Sequence, residues 1–267
     1  MSTGETADHD TTATERGALL RTTGLRKEFG NFAAIDGVDI AVERGEFRSI
    51  IGPNGAGKTT LFNLISGALP VTAGTVHFDG EEITGLPPQE RIRRGMARSF
   101  QISNIFGGLT VRENVRLAVQ ALHREEYSLR EALFRPTDRY DGINEDTDRI
   151  LDRIGLAGDG GVEAASLPYG DKRRLEIGVV LATEPKLVLF DEPTAGMSPE
   201  ETRETIDLIE EVLVDQTLIL VEHDIELVMD LSDRITVLHR GEVLSEGTPE
   251  DIADDQAVRD AYLGGMA

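Results

Sequence analysis

The chain has 267 residues, of which 39% are hydrophobic and 28% charged, and it contains no cysteine. This length allows one large α/β domain or two small ones, and the apolar content suffices for a packed core. The missing cysteines exclude disulfides and thiolate metal sites, which suits a cytoplasmic protein. No run of about 18 apolar residues occurs, so the sequence predicts no helix that spans a bilayer.

Acidic residues dominate the charge balance. The chain carries 49 Asp and Glu residues against 27 Lys and Arg residues, a formal net charge of −22. Such a surface repels nucleic acid and anionic lipid head groups, so we expect no nucleic-acid partner. An ordinary acidic enzyme would explain the charge, but a shortage of lysine favours adaptation to a halophile's cytoplasm, where molar salt screens like charges. The lysines are Lys27, Lys58, Lys172 and Lys186.

We predict that the folded chain loses stability as salt is withdrawn. With a net charge of −22, repulsion between surface carboxylates opposes the compact state. The screening length falls from about 10 Å at 0.1 M ionic strength to about 3 Å at 1 M, so concentrated salt weakens that repulsion. Urea unfolding followed by circular dichroism, from low to molar KCl, measures the effect. Full stability in dilute buffer would contradict halophilic adaptation and favour the ordinary acidic enzyme.

The first third of the chain is predicted to form strands that follow a polar tail. Residues 1–17 are rich in Thr, Asp and Glu, lack the basic and apolar regions of a signal peptide, and are expected to be solvated. Apolar patterning predicts strands over 19–29, 34–42, 47–51 and 74–80, with a short helix over 61–65.

The middle of the chain is predicted to be mainly helical, beginning at Pro87. From Thr110 apolar residues recur at helical spacing, and Thr110 with Glu113 fits a capping box. The charged segment 124–144 is expected to be a surface excursion, and a helix follows over 143–156.

Strands and helices alternate again in the last third, which argues for a sheet covered by helices. The patterning predicts strands over 186–192, 217–221, 234–238 and 242–246, and helices over 171–183, from 198, from 222 and over 257–263. The whole is therefore expected to be an α/β protein. Its middle, 86–161, would be a helical subdomain inserted into a core formed by 18–85 and 162–267.

Nine residues between a predicted strand and a predicted helix follow the phosphate-binding pattern G-x-x-x-x-G-K-[ST]. Glycines let the backbone turn and aim several N–H groups at a phosphate, and the helix N-terminus adds partial positive charge. Lys58 would reach the outer phosphates, and the Thr59 hydroxyl would bind Mg²⁺. The residues are Gly52, Pro53, Asn54, Gly55, Ala56, Gly57, Lys58, Thr59 and Thr60.

Four further features of the sequence contain groups that could bind a metal ion or a phosphate or act in catalysis. A predicted buried strand ends in Asp191 and Glu192, which would hold Mg²⁺ and deprotonate an attacking water, respectively. His223 follows another strand and could contact the terminal phosphate, and Gln101 could contact Mg²⁺ and the attacking water. Alone, such a His or Gln is more often an ordinary surface residue. The fourth feature is the loop of residues 167–174, which leads into a helix whose N-terminus could bind a phosphate.

Together, and in this order, these features resemble the nucleotide-binding subunit of an ATP-binding cassette (ABC) transporter. The match covers about Leu20 to Leu263, and Phe29 occupies the aromatic position that stacks on adenine. The resemblance implies an α/β fold of the P-loop NTPase (RecA-like) class, with a mixed sheet core, an antiparallel β subdomain and an inserted helical subdomain. The matching motifs are Walker A at 52–59, the Q-loop at Gln101, Walker B at 187–191, the D-loop at 195–198 and the H-loop at His223.

The same resemblance implies ATP and Mg²⁺ as cofactors, with Thr59, Gln101 and Asp191 near the metal. Glu192, His223 and Gln101 would be the catalytic residues. Two such subunits would close face to face on ATP, drive transmembrane permease subunits, and work at the cytoplasmic face of the cell membrane without a transmembrane segment of their own.

One stretch departs from the family pattern. The family's signature is Leu-Ser-Gly-Gly-Gln, whereas this chain has Leu-Pro-Tyr-Gly-Asp at 167–171. Pro168 has neither a hydroxyl nor a backbone N–H to offer a phosphate, and Ser166 lies one residue too early. The loss of one charge-assisted hydrogen bond of about 1.5–3 kcal/mol would weaken the partner's site. We therefore expect a heterodimer with a paralogous ATPase subunit that carries an intact signature.

The substrate class comes from resemblance alone. The segments 97–101, 124–144 and 258–264 and the Leu-x-Tyr-Gly signature are similar to the branched-chain amino acid importer subfamily, which also uses a solute-binding protein. Importers of urea or other amides share this layout, and the cassette does not encode the direction of transport, so an exporter also stays open. A repair ATPase would need a longer helical region for its coiled coil, and ribosomal relatives usually hold two cassettes. A regulatory protein that binds ATP without turnover is disfavoured by Glu192 and His223.

Overall fold

The computed structural model describes residues 17–99, 105–122 and 141–263. Its contacts divide the chain into two compact units, one running up to Pro87 and resuming at Thr217, the other covering Pro88–Gln216. Residues 88–161 of the predicted helical subdomain belong to the second unit, as do residues 162–216, which the sequence assigned to the core. The predicted domain boundaries therefore stay a prediction.

The first unit contains two β-sheets. An antiparallel sheet has the strand order β2-β1-β4-β5, and a mixed sheet contains β10-β9-β3-β8, in which β3 runs parallel to β8 and β9. Its strands are β1 (Leu20–Phe29), β2 (Phe32–Val42), β3 (Phe47–Ile51), β4 (Ala73–Phe78), β5 (Glu81–Glu82), β8 (Thr217–Val221), β9 (Arg234–His239) and β10 (Glu242–Gly247).

Burial patterns explain these two sheets. In β1 buried residues are separated by half-buried or exposed ones, whereas every residue of β8 is buried, as expected for a strand covered on both faces. The helices of this unit are α1 (Lys58–Ile65), α7 (Ile225–Leu231), α8 (Pro249–Asp254) and α9 (Gln256–Leu263). The last three pack with the ends of β3 and β9 in one apolar cluster of Ile51, Val228, Ile235, Val237, Ile252 and Val258.

The second unit is mainly helical around two parallel strands, β6 (Met96–Ser99) and β7 (Leu187–Asp191). Two of its helical segments approach closely, since a Cβ at Gly178 would lie 2.6 Å from Cδ1 of Ile154, the residue that directly follows one of its helices. Its helices are α2 (Pro88–Arg93), α3 (Val111–Leu122), α4 (Asp141–Arg153), α5 (Tyr169–Leu181) and α6 (Pro199–Val212). No helix in the described ranges is long and apolar enough to cross a membrane.

Local capping and turn signals were read correctly in several places. Thr110 and Glu113 exchange the hydrogen bonds of a capping box, and Ser198 caps α6 in the same way with Glu201. The strands predicted over 234–238 and 242–246 pair as an antiparallel hairpin, with φ values of 52° at Arg240 and 87° at its neighbour Gly241 in the turn.

Three helix predictions needed correction. The helix predicted from 222 begins at Ile225, because the Asp224 carboxylate caps it by accepting from Leu227 N–H. The helix predicted from 171 begins at Tyr169, directly after Pro168. Helix α8 was missed, although a capping threonine and a proline at the first helical position open it. Residues 124–140 of the predicted surface excursion lie outside the described residues.

Candidate functional site

The phosphate-binding loop connects β3 to α1 through three glycines with positive φ. The angles are 153° at Gly52, 81° at Gly55 and 108° at Gly57. Residues with a Cβ rarely adopt such angles, so this backbone path depends on glycine. Inside the loop Ala56 N–H donates to the Pro53 carbonyl over 3.0 Å, which closes a tight turn.

The loop rests directly on neighbouring backbone. A Cβ at Gly52 would lie 2.2 Å from the Leu238 carbonyl oxygen of β9, and a Cβ at Gly57 would lie 2.7 Å from the Ala34 carbonyl oxygen of β2. The loop also receives a backbone hydrogen bond of 2.9 Å from the turn between β9 and β10. Both sheets of the first unit therefore contact the loop. These contacts leave no room for a side chain at Gly52 or Gly57.

Lys58 brings a buried positive charge into this loop. Its ammonium donates to the Gly52 carbonyl over 2.6 Å and lies 3.4 Å from the Pro53 carbonyl. The neighbouring Thr59 is exposed. Gly57 is the N-cap of α1 and has no side chain to cap the helix. The first N–H groups of α1 therefore remain available to a ligand bound in the loop. Backbone donors, a helix N-terminus and an ammonium together make a site for an anion such as a polyphosphate.

Two other predicted site residues belong to the same unit. Phe29 ends β1, pairs with Phe32 across the sheet and is 51% exposed, and the Lys27 ammonium lies 5.1 Å from its ring centre. The ring is therefore accessible to a stacking ligand. His223 follows β8 and is exposed, and its backbone N–H donates to the Glu222 carboxylate over 3.0 Å.

The two predicted acidic residues lie in the second unit, at the carboxyl end of β7. Asp191 is buried, and its Oδ2 is 3.1 Å from Nη2 of Arg98, which projects from the neighbouring strand β6. Glu192 follows with a φ of 50°, a conformation that costs a residue with a Cβ about 1–2 kcal/mol. Asp79, Glu184 and Arg240 have similar positive φ values, so this angle is not specific to a catalytic position.

The altered signature stretch forms the start of α5. Leu167 is buried and anchors the loop, while Pro168 takes the N-cap position and supplies no side-chain hydrogen bond to the helix. Tyr169 is 49% exposed, and the Arg173 guanidinium lies 5.6 Å from its ring centre. Ser166 ends a short 3-10 turn before the helix. The helix N-terminus is thus presented without a hydroxyl at its cap.

The structure adds Arg98, which the motifs did not indicate, to the residues of the candidate site. It does not describe Gln101, which the motifs did indicate. In the sequence Arg98 belongs only to the segment 97–101 that resembles the importer subfamily, and no sequence pattern links it to Asp191, which is 93 positions further on. Gln101, the predicted Q-loop residue, lies outside the described residues.

A glycine loop between a strand and a helix, with a buried lysine at the helix start, defines a P-loop nucleotide-binding protein of the α/β class. The family model for ABC transporters matches residues 35–195, and a model described as branched-chain amino acid ATP-binding cassette transporter matches residues 242–267. The chain belongs to the ABC transporter family. It is an ATP-binding subunit whose hydrolysis of ATP is coupled to transport through permease subunits.

Characterised relatives align over nearly the whole chain. The high-affinity branched-chain amino acid transport ATP-binding protein LivG of Salmonella typhimurium is 41% identical over 254 residues, which cover 92% of this chain and 98% of LivG. The corresponding protein BraF of Pseudomonas aeruginosa is 39% identical over 252 residues, with the same coverage of both chains.

Solved structures share the fold. An ATP-binding cassette of an ABC transporter in its ADP conformation superposes with a TM-score of 0.77 at 31% identity, covering 92% of this chain and 99% of that chain. CbiO1 of Clostridium perfringens, part of the ABC transporter complex CbiONQ, gives a TM-score of 0.74 at 26% identity, covering 93% of this chain and 99% of the other. The P-loop NTPase fold class expected from the sequence is confirmed.

Proposed function

We propose that this chain hydrolyses ATP to power the import of branched-chain amino acids, working at the cytoplasmic face of the cell membrane. The observation that carries the substrate class is the similarity to LivG and BraF over 92% of the chain, together with the C-terminal match at residues 242–267. The phosphate loop carries the ATPase part of the proposal, because its geometry suits a polyphosphate independently of any relative.

The nucleotide-binding part of the ATP site would be built from residues of the first unit. The loop amides and Lys58 would hold the phosphates, and the exposed Phe29 ring would stack on adenine. The positive φ angles of Gly52, Gly55 and Gly57 support this assignment, because they turn the backbone so that several of its N–H groups can face a phosphate. Proposed contacts to the loop's ligand come from Gly52, Pro53, Asn54, Gly55, Ala56, Gly57, Lys58, Thr59 and Thr60.

Hard oxygen ligands are available for a magnesium ion. Thr59 offers an exposed hydroxyl, Asp191 a carboxylate held in place by Arg98, and Gln101 an amide oxygen. One or two protein oxygens suffice, because Mg²⁺ in nucleotide sites takes its other ligands from phosphates and water. When bound, the ion would neutralise charge that develops on the phosphate oxygens.

Two residues would act on the reaction itself. Glu192 would accept a proton from the attacking water, because it directly follows Asp191 at the carboxyl end of β7 and a carboxylate can act as a general base. His223 would contact the terminal phosphate, and its exposed position after β8 leaves the imidazole accessible. Both assignments rest on the positions of the two residues just after the ends of β7 and β8 and on the ability of a carboxylate or an imidazole to take part in proton transfer or hydrogen bonding.

The partner subunit is proposed to be a paralogue. Pro168 at the helix cap cannot donate to a phosphate across a dimer interface. The ATP site that this chain's signature loop completes on the partner would therefore be weaker than the site that the partner's loop completes on this chain. A heterodimer with one intact signature would retain one fully equipped site.

Purification from membranes under mild detergent tests both proposals. We expect a tagged chain to bring down two permease subunits and a second, different ATPase, and the assembly to hydrolyse ATP faster when a branched-chain amino acid and its binding protein are added. Stimulation by urea or amides instead would identify the alternative solute class, and a complex without a binding protein would favour export. A homodimer of this chain with full ATPase activity would contradict the heterodimer.

A further inference from the structure

The turn between β9 and β10 forms a junction between the phosphate loop and β2. Gly241, which is buried in this turn, donates its backbone N–H to the Ala56 carbonyl of the loop over 2.9 Å. Its own carbonyl accepts from the Asp36 N–H of β2, also over 2.9 Å. One residue of the C-terminal hairpin therefore connects the loop to a strand of the antiparallel sheet.

Three backbone segments are in close contact at this junction. A Cβ at Gly241 would lie 2.8 Å from the Ala34 carbonyl oxygen of β2, and a Cβ at Gly57 of the loop would lie 2.7 Å from the same oxygen. Gly241 also has a φ of 87°, a conformation that residues with a Cβ rarely adopt. A side chain at Gly241 would therefore push one of the three segments away from the others.

Strand β2 connects this junction with the proposed adenine site. The first residue of the strand, Phe32, pairs with Phe29 of β1, whose exposed ring is proposed to stack on adenine. Ala34 and Asp36, the two contacts of Gly241, lie a short distance further along the same strand. The hairpin turn therefore holds the phosphate loop against the strand that pairs with Phe29.

We propose that Gly241 is a positioning residue of the ATP site, which sets the spacing between the phosphate loop and the Phe29 ring. The proposal rests on the proposed ATP site at residues 52–60 and on the proposed stacking of adenine on Phe29. A nucleotide held at both ends gains the stacking of its base only when the two parts of the site lie at the right distance. Holding that distance before the nucleotide arrives lowers the free-energy cost of binding.

The hairpin does not depend on Gly241 for its own place in the mixed sheet. Val237 of β9 pairs with Ile51 of β3. Arg48 of β3 is only 1% exposed, and its Nη1 lies 2.8 Å from the Glu246 carboxylate of β10. Replacing Gly241 should therefore leave β9 and β10 in the sheet and displace only the turn, the loop or β2.

The test compares Gly241→Ala with the unchanged full-length chain, using an ATP analogue that carries a fluorescent N-methylanthraniloyl group. ATP and inorganic tripolyphosphate each compete with this probe, and the ratio of their affinities measures the contribution of the nucleoside. Base stacking should make the unchanged chain bind ATP at least about fivefold more tightly than tripolyphosphate. In Gly241→Ala the affinity for ATP should fall at least about tenfold and the ratio should approach one, because the ring and the loop no longer bind one nucleotide together.

Gly45→Ala controls for the strain of a side chain at positive φ. Gly45 has a φ of 75° in the turn before β3, and a Cβ there would meet nothing within 4 Å. This variant should lose thermal stability and keep both the affinity for ATP and the ratio. If Gly241→Ala keeps the ratio of the unchanged chain, or if Gly45→Ala lowers it equally, the positioning role is wrong.

Two further variants test the ATP site separately from Gly241. Lys58→Ala should abolish binding of the probe, and Phe29→Ala should bring the ratio to about one by removing the stacking surface. If the probe still binds to Lys58→Ala, or if Phe29→Ala leaves the ratio unchanged, the proposed ATP site is wrong, whatever the result at Gly241.

Hydrogen exchange in the unchanged chain tests the proposal even where Gly241→Ala does not fold. ATP should slow the exchange of the Gly241 amide, because a bound nucleotide fixes the loop whose carbonyl accepts from it. The Gly45 amide donates to the Thr217 hydroxyl over 2.9 Å and should exchange equally fast with and without ATP. Exchange at Gly241 that ATP does not slow would overturn the positioning role.

Discussion

Glu192→Gln should stop ATP turnover while leaving ATP bound. Gln has the same size and number of hydrogen-bonding atoms as Glu but cannot accept a proton at neutral pH. A general base contributes about 100- to 10,000-fold to such reactions, so kcat should fall within that range. The backbone strain at this position, where φ is 50°, is the same for both side chains and should not change the fold. Phosphate release measured with the purified complex, beside fluorescent nucleotide binding, checks both halves of the expectation.

A matched control separates the base from a general effect of lost charge. Glu210 is exposed on α6, so Glu210→Gln also removes one acid from the second unit and should retain full turnover. Turnover that persists in Glu192→Gln would show that another group activates the water. Loss of nucleotide binding in the same variant would instead mean that Glu192 supports the site structurally.

Local signals carried most of the fold prediction. The strand, glycine loop and helix from 47 to 65 could be assigned because each depends on residues close in sequence: an apolar run, positive-φ glycines and a helix start. The same holds for the caps at Thr110 and Ser198. Helix α8 was missed although its Thr248 capping box was visible, because its run of six residues is too short to show helical periodicity.

Contacts between distant segments could not be predicted in the same way. The Arg98–Asp191 ion pair requires β6 and β7 to be neighbours, and the apolar cluster that contains both Val258 and Ile51 requires α9 to fold back onto the end of β3. Neither strand order nor helix docking leaves a local pattern. The close contact at Gly52 belongs to the same class, since the sequence indicates a glycine but not which backbone atom lies beside it.

Gly52→Ala should disrupt the nucleotide site. The new Cβ would lie 2.2 Å from the Leu238 carbonyl oxygen, which belongs to β9 and cannot rotate away as a side chain could. Either the loop or the strand must shift, at about 1–3 kcal/mol for overpacking, in addition to about 1–2 kcal/mol for the positive φ. A displaced loop no longer aims its amides at a phosphate. Nucleotide affinity should therefore fall at least about tenfold, which corresponds to 1.4 kcal/mol.

Gly80→Ala is the control that isolates the close contact. Gly80 also has a positive φ, of 82°, but a Cβ there meets nothing within 4 Å, and the residue lies in the turn between β4 and β5. It should lose about 1–2 kcal/mol of stability from backbone strain and keep its nucleotide affinity. Thermal unfolding and fluorescent nucleotide titration of both variants give the comparison. Equal affinities in the two variants would show that the approach of Leu238 does not limit which residue position 52 accepts.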